Sequence, residues 1–165
     1  MALTRKQFDI LAVLADSEKA LTQRELEKTT GHSLGTVNNQ NLPFYRSCLT
    51  ALGETPYRVV MAVGRESVLH ALGPLPANVQ AEAMVDQIGV LAAADVFLTH
   101  CGMNSVSEAL FFGVPLVCCP QTQEQRGVAN RVLALGAGLL LPDDSPQAIA
   151  QAIGIALSDP GYRAH

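Results

Sequence analysis

The sequence has no tryptophan and few charged side chains, which make up 16% of its 165 residues. Its net charge is −4 and its Lys and Arg residues are scattered, which argues against a broad attraction to nucleic acid. The apolar runs are too short to span a membrane. Residues 1–9 are polar and carry charges, so we expect no secretory signal peptide.

Cysteine is also scarce. The four residues are Cys48, Cys101, Cys118 and Cys119, and their spacing fits no zinc-binding pattern. Two of them lie in an apolar run, where small buried thiols are ordinary. We therefore predict four reduced cysteines and a cytoplasmic protein.

The chain is 48% hydrophobic, so it is able to bury a core as one domain or two small ones.

The first 37 residues are predicted to form a small helical unit. Thr4 and Gln7 have capping-box spacing. The apolar residues that follow recur at helical spacing: Phe8, Leu11, Ala12 and Ala15. A second helix is predicted to start at Thr22 and a third at Ser33.

The segment Leu21–Asn38, LTQRELEKTTGHSLGTVN, resembles the DNA-reading segment of MarR-like winged-helix domains. The resemblance implies a supporting helix over Thr22–Thr29 and a reading helix from Ser33. A three-helix unit with no DNA role is the alternative. No β-wing follows, and residues 1–40 hold five basic and five acidic side chains. DNA binding is therefore not expected.

From residue 41 onward, predicted strands and helices alternate. The strands cover Tyr57–Val63, Ala81–Val85, Val96–Thr99, Pro115–Cys119 and Ala137–Leu141. The helices cover Phe44–Leu52, Ile88–Ala94, Asn104–Phe112, Glu124–Leu135 and Ser145–Leu157. This rhythm predicts an α/β fold with a Rossmann-like parallel sheet and helices on both faces.

Chemistry is predicted where the strand Val96–Thr99 meets the next helix. Ligands of parallel sheets bind beyond the carboxyl ends of the strands. The loop HCGMNS, residues 100–105, leads directly into a helix, whose N-terminus attracts anions such as diphosphate. The loop at Pro120–Gln125 enters another helix and offers a carboxylate and amides, which suit the hydroxyls of a sugar.

Residues Thr99–Gln125, THCGMNSVSEALFFGVPLVCCPQTQEQ, closely resemble the donor-binding signature of family 1 UDP-dependent glycosyltransferases, particularly the bacterial macrolide-type branch. The segments NLPFYRSCLT, residues 41–50, and YRVVMAVG, residues 57–64, are similar to the same branch. The resemblance covers residues 33–165. It implies the C-terminal half of a GT-B fold and transfer of a hexose from a UDP-sugar to a small hydrophobic acceptor, with no metal or other cofactor.

The resemblance also implies which residues contact the donor. His100 would contact the diphosphate, and Gly102, Asn104 and Ser105 would hold the phosphates. Glu108 would bind the ribose, whereas Glu124 and Gln125 would bind the hexose. The remaining positions are Gln87, which matches the uracil-side motif, and Gly35 and Thr36, which match a loop near the phosphates.

Each of these residues also has a plain structural alternative, and His100 taken alone is more typical of a structural histidine than of a ligand-binding one. Ser105 and Glu108 have capping-box spacing, as do Thr122 and Gln125, so each pair could simply cap a helix.

Three positions depart from the family pattern. Cys101 stands where glycine is usual. Met84 replaces a flat residue that stacks on uracil, and Asp86 replaces a proline.

Residues 33–38 are shared by the two patterns, so we hypothesise a junction between a helix-turn-helix-like segment, 1–37, and a truncated nucleotide-sugar domain, 38–165. The family's first, central strand would precede this junction and is expected to be missing, with marginal stability as the consequence. The family's catalytic base lies in its other domain, so we expect no catalytic residue and no sugar transfer from this chain alone. The alternatives are a transcriptional regulator that senses a nucleotide sugar, and an inert chimeric fragment.

Overall fold

The computed structural model describes Leu11–Ala12 and residues 42–163. Six strands run in parallel pairs through this part of the chain. They are β1 (Leu11–Ala12), β2 (Val59–Ala62), β3 (Val79–Glu82), β4 (Phe97–Thr99), β5 (Leu116–Cys118) and β6 (Gly138–Leu140).

The strands follow the order of a Rossmann sheet. One hydrogen-bonded sheet has the order β1-β4-β5-β6, and the other pairs β2 with β3. Strand β1 pairs with β4 through Leu11 opposite Phe97, and it also lies beside β2. The combined order is therefore β3-β2-β1-β4-β5-β6, and the predicted α/β class with a parallel sheet is confirmed.

The segment around Leu11 corrects the sequence analysis in two respects. The helix predicted across Leu11 and Ala12 is wrong, because both residues form strand β1. The first strand of the sheet, expected to be missing, is therefore represented by these two residues. Central parallel strands are continuously apolar, and a short apolar run fits such a strand as well as a buried helix.

Six helices connect and cover the strands in the described residues. They are α1 (Leu42–Leu52), α2 (Glu66–Leu72), α3 (Gln87–Ala93), α4 (Met103–Phe111), α5 (Gln123–Ala134) and α6 (Pro146–Ser158). A short 3-10 helix follows at Pro160–Arg163. All were predicted within a few residues except α2 and the 3-10 helix. The other predicted helices, before residue 41, lie outside the described residues.

Alternate residues of each strand face opposite sides of the sheet. Val59, Met61 and Val63 pack into a core with the buried residues of α1, α2 and α6. Val60 and Ala62 pack into a second core with α3, α4 and α5. In the described part of the chain, three helices therefore pack on each face of the sheet, and each face has its own apolar core.

The four cysteines are free and buried, as predicted. Burial raises the pKa of the Cys48 thiol, which is therefore protonated at neutral pH. Among the described residues, no helix has the length and apolar character needed to cross a membrane.

We predict that Gly138→Ala lowers the free energy of unfolding by about 1–3 kcal/mol. A Cβ at Gly138 would lie 2.2 Å from the backbone oxygen of Leu116 on the neighbouring strand, which cannot move aside easily. Urea unfolding measures the change. The matched control is Gly127→Ala in α5, where a Cβ meets nothing within 4 Å and helix propensity favours alanine by up to about 1 kcal/mol. Equal stability of the two variants would contradict the packing of β5 against β6.

Candidate functional site

The N-terminus of α4 follows β4 after three residues. Gly102 is the N-cap, with φ −61° and ψ 140°, and it has no side chain with which to cap the helix. The first amides of α4 therefore keep the partial positive charge that a helix N-terminus presents to an anion. Because all strands are parallel, this end of α4 lies at the same edge of the sheet as the loops that follow β2, β3 and β5.

Cys101, which stands where the family usually has glycine, has a left-handed backbone with φ 71°. Residues with a side chain rarely adopt this backbone conformation, whereas glycine adopts it readily. This difference accounts for the glycine that the resemblance implies at this position. Here the amide of Cys101 donates to Thr99 Oγ1 at 3.2 Å, and the Cys101 side chain is buried. A hydrogen bond between the Cys101 and Cys118 thiols lowers the pKa of Cys101 and raises that of Cys118. The turn is thus fixed by contacts within the core.

His100 is buried beneath the start of α4, with only 5% of its surface exposed. Its Nε2 lies 3.2 Å from Nε2 of Gln121, and its ring centre lies 5.6 Å from that of Phe44. As an amide nitrogen only donates, Nε2 of His100 is the acceptor in this arrangement. Its position is therefore determined by α1 on one side and the β5–α5 loop on the other.

Gln87 connects the start of α3 to α4. Its Nε2 donates to Ser105 Oγ at 3.2 Å and to Glu108 Oε2 at 2.5 Å. The alternative that Ser105 and Glu108 form a capping box is wrong, because the N-cap is Gly102 and Glu108 turns toward Gln87. The Glu108 carboxylate is half-buried and held by this amide, which leaves its other oxygen for a ligand.

The departure at Asp86 also has a local explanation. Asp86 is the N-cap of α3, and its carboxylate accepts from the amide of Gly89 at 3.2 Å. Its charge therefore stabilises α3. Met84, in the preceding loop, is 57% exposed and offers an apolar surface at the same edge of the sheet.

For Gln125, the structure confirms the local alternative. Thr122 and Gln125 form a capping box at the start of α5. Gln125 Oε1 accepts from the amides of Gln121 at 2.8 Å and Thr122 at 3.3 Å. Glu124, in the same turn, is exposed. Gln125 therefore shapes the loop that holds Gln121 against His100, and this structural role does not depend on a contact between Gln125 and a ligand.

The described candidates are gathered at one edge of the sheet. Hydrogen bonds link Gln125 through Gln121 to His100, and others link Gln87 to Ser105 and Glu108. Asn104 is exposed in the first turn of α4. The two remaining candidates, Gly35 and Thr36, lie outside the described residues. Among those described, no cluster of three His, Cys, Asp or Glu residues could hold a metal ion.

These features define an α/β domain with an anion-attracting helix between carboxylate and amide side chains. A family model described as "Erythromycin biosynthesis protein CIII-like, C-terminal domain" matches residues 46–165. The chain belongs to this family, the C-terminal domain of family 1 glycosyltransferases.

The similarity to individual glycosyltransferases supports this family assignment. The chain is 44% identical over 112 residues to the NDP-glycosyltransferase YjiC of Bacillus subtilis (strain 168), covering 68% of this chain and 29% of that protein. It is 33% identical over 135 residues to the oleandomycin glycosyltransferase of Streptomyces antibioticus, covering 81% and 31%.

The crystal structure of CalG4, the calicheamicin glycosyltransferase, superposes with a TM-score of 0.77 at 33% identity and covers 95% of this chain and 36% of CalG4. The chain thus spans about a third of these relatives. All three are glycosyltransferases, so the alternative of a transcriptional regulator finds no support among them.

We predict that Gln125→Ala lowers the free energy of unfolding by about 1 kcal/mol, because two loop amides lose their acceptor. The control is Gln125→Glu, which keeps a carboxyl oxygen at the capping-box position and should retain the stability. Urea unfolding compares the two variants. An equal loss in both would show that the capping bonds contribute nothing to stability.

Proposed function

We propose that this chain is the donor-binding half of a UDP-dependent hexosyltransferase. The observation that carries the proposal is the position of α4: its N-terminus lies between the Gln87–Glu108 pair and the hydrogen-bonded series His100–Gln121–Gln125. A diphosphate placed at this helix end would have hydrogen-bonding groups on both sides, one set for each end of a nucleotide sugar.

The diphosphate would lie over Gly102, where the backbone allows a close approach. Asn104 is exposed beside it and able to donate from its side-chain amide. Ser105 is buried and already bonded to Gln87, so it would contact a phosphate mainly through its backbone. His100 lies beneath the same turn, and Gly35 and Thr36 are proposed near the phosphates from the resemblance alone.

The nucleoside would lie on the side of α3. Glu108 has one carboxylate oxygen held by Gln87, which orients the other toward the ribose hydroxyls. Met84 is exposed at the end of β3 and would pack against the base. A methionine offers dispersion contact without the stacking of a flat ring, so we expect modest discrimination between bases.

The hexose would lie on the side of α5. Glu124 is exposed in the first turn of that helix and provides a carboxylate for paired hydroxyls. Gln125 uses its carbonyl oxygen for the capping box, so its amide nitrogen is the group that would donate to the sugar. The capping box and the sugar contact are therefore compatible in one side chain.

Uridine is the nucleoside we propose, and the names of two relatives support it. The uncharacterized UDP-glucosyltransferases YdhE and YojK of Bacillus subtilis (strain 168) are each 36% identical to this chain. The competing possibility is a thymidine nucleotide. The crystal structure of the glycosyltransferase VinC contains dTDP, but at 23% identity it supports the shared fold alone.

The whole protein would transfer the hexose to a small hydrophobic acceptor. The oleandomycin glycosyltransferase and the demethyllactenocin mycarosyltransferase, from two Streptomyces species, are named for such acceptors. We place the protein in the cytoplasm, where four free buried cysteines are stable in the reduced form. The boundary of the donor-binding domain at residue 38 stays a prediction.

Calorimetric titration of UDP and UDP-glucose tests the proposal. We expect binding by the wild-type chain, unchanged in EDTA, and about 10-fold weaker binding by Glu108→Gln, which loses a charge-assisted hydrogen bond to the ribose. The matched control is Asp159→Asn. It removes one negative charge at the C-cap of α6, at the opposite edge of the sheet, and should leave binding unchanged.

A parallel titration with dTDP distinguishes the nucleotides. Weaker dTDP binding by the wild-type chain supports uridine, whereas tighter dTDP binding replaces uridine with thymidine within the same site. Absence of binding to all of these nucleotides would contradict the proposed function.

A further inference from the structure

Arg65 lies at the same edge of the sheet as the proposed donor site. It follows β2 after Val63 and Gly64 and is the N-cap of α2, with an extended backbone of φ −149° and ψ 145°. The amide of Gly64 donates to the carbonyl of Ala83 at 2.8 Å, which joins this turn to the end of β3. The backbone of Arg65 is therefore fixed between a buried strand and the loop that carries Met84.

The guanidinium of Arg65 has unmet hydrogen-bonding capacity. Its Nε and Nη2 atoms are buried and, within the described part of the chain, have no hydrogen-bond partner. Arginine stays charged in proteins, so it cannot avoid this cost by losing a proton. Buried donors are almost always satisfied, and leaving one without a partner costs stability. Two nitrogens of this planar cation thus have no acceptor among the described residues.

The charges at this edge indicate what the acceptor is. In the described loops after β2, β3, β4, β5 and β6, Arg65 is the one permanently charged cation, whereas Asp86, Asp143 and Asp144 are acidic. A nucleoside diphosphate brings negative charge that the N-terminus of α4 offsets only by about half a unit. Strand β2 is two positions from β4, about 10 Å across the sheet, so Arg65 would face the diphosphate from the side opposite to α5.

We propose that Arg65 binds the diphosphate of the nucleotide sugar and neutralises its charge. This inference rests on the proposed function. The planar guanidinium presents parallel N–H donors that match two phosphate oxygens, which a single ammonium cannot reproduce. Bound in this way, the same cation would also stabilise the charge that develops on the diphosphate as the sugar leaves.

The test compares UDP with uridine, which lacks the phosphates. We expect Arg65→Gln to weaken UDP binding about 10- to 100-fold in calorimetric titration, and to leave uridine binding, followed by ligand-observed NMR, unchanged. Arg65→Lys should recover part of the UDP affinity. The control is Arg131→Gln. Arg131 is exposed in the last turn of α5, so this substitution removes the same charge at the opposite edge of the sheet.

Stability distinguishes ligand binding from a structural role. Because the buried donors have no partner among the described residues, Arg65→Gln should not lower the Tm of the unliganded protein, and the Tm increase caused by saturating UDP should shrink. Unchanged UDP affinity in Arg65→Gln, or an equal loss for UDP and uridine, overturns this inference and leaves the proposed function intact. A wild-type chain that binds no nucleotide overturns both.

Discussion

The turn from β4 into α4 is the constraint on which the rest of the site depends. A buried strand of three residues must end and reverse into a helix whose N-cap, Gly102, has no side chain to cap the first amides. The left-handed backbone at Cys101 makes this reversal possible, and the burial of its side chain offsets the cost of placing a non-glycine residue there. Since the neighbouring strands are parallel, every other functional loop is then brought to the same helix end by the sheet itself.

Around this turn, the same side chains combine a role in local stability with a proposed contact to the ligand. Asp86 caps α3 and so positions Gln87, which in turn orients Glu108. Gln125 caps α5 and so positions Gln121 against His100.

A spacing that is typical of a helix cap is therefore no evidence against a role in binding. For Glu108, the capping interpretation fails because the helix begins three residues earlier than that interpretation requires, and the carboxylate is available to a partner on another helix.

The sequence predicted the elements whose signals are local. The helix over residues 146–158 has Ser145 and Pro146 at its start, and the buried strands are continuous apolar runs between turn residues. The prediction from sequence failed at Leu11, where helical spacing and a central-strand composition coincide and only pairing with Phe97 decides between them.

Helix α2 was missed because its seven residues bury only Val68 and Leu72. The candidate residues were predicted from a resemblance, whereas their connections, such as Gln87 to Glu108 across 21 positions, depend on tertiary structure.

Arg65 shows why a residue that we propose to bind the donor can escape sequence reasoning. It lies outside the recognised signature, in a turn with no distinctive motif. It stands out only in the folded structure, where two of its buried nitrogens have no acceptor among the described residues. A protein selected for stability alone would pair a buried guanidinium or replace it. Electrostatic preorganisation requires the opposite, since a charge that is already oriented and desolvated interacts strongly with an incoming anion and needs little rearrangement. Among the described residues, two buried nitrogens of Arg65 lack an acceptor and no N-cap side chain caps α4, and the diphosphate that we propose for this edge of the sheet would interact with both.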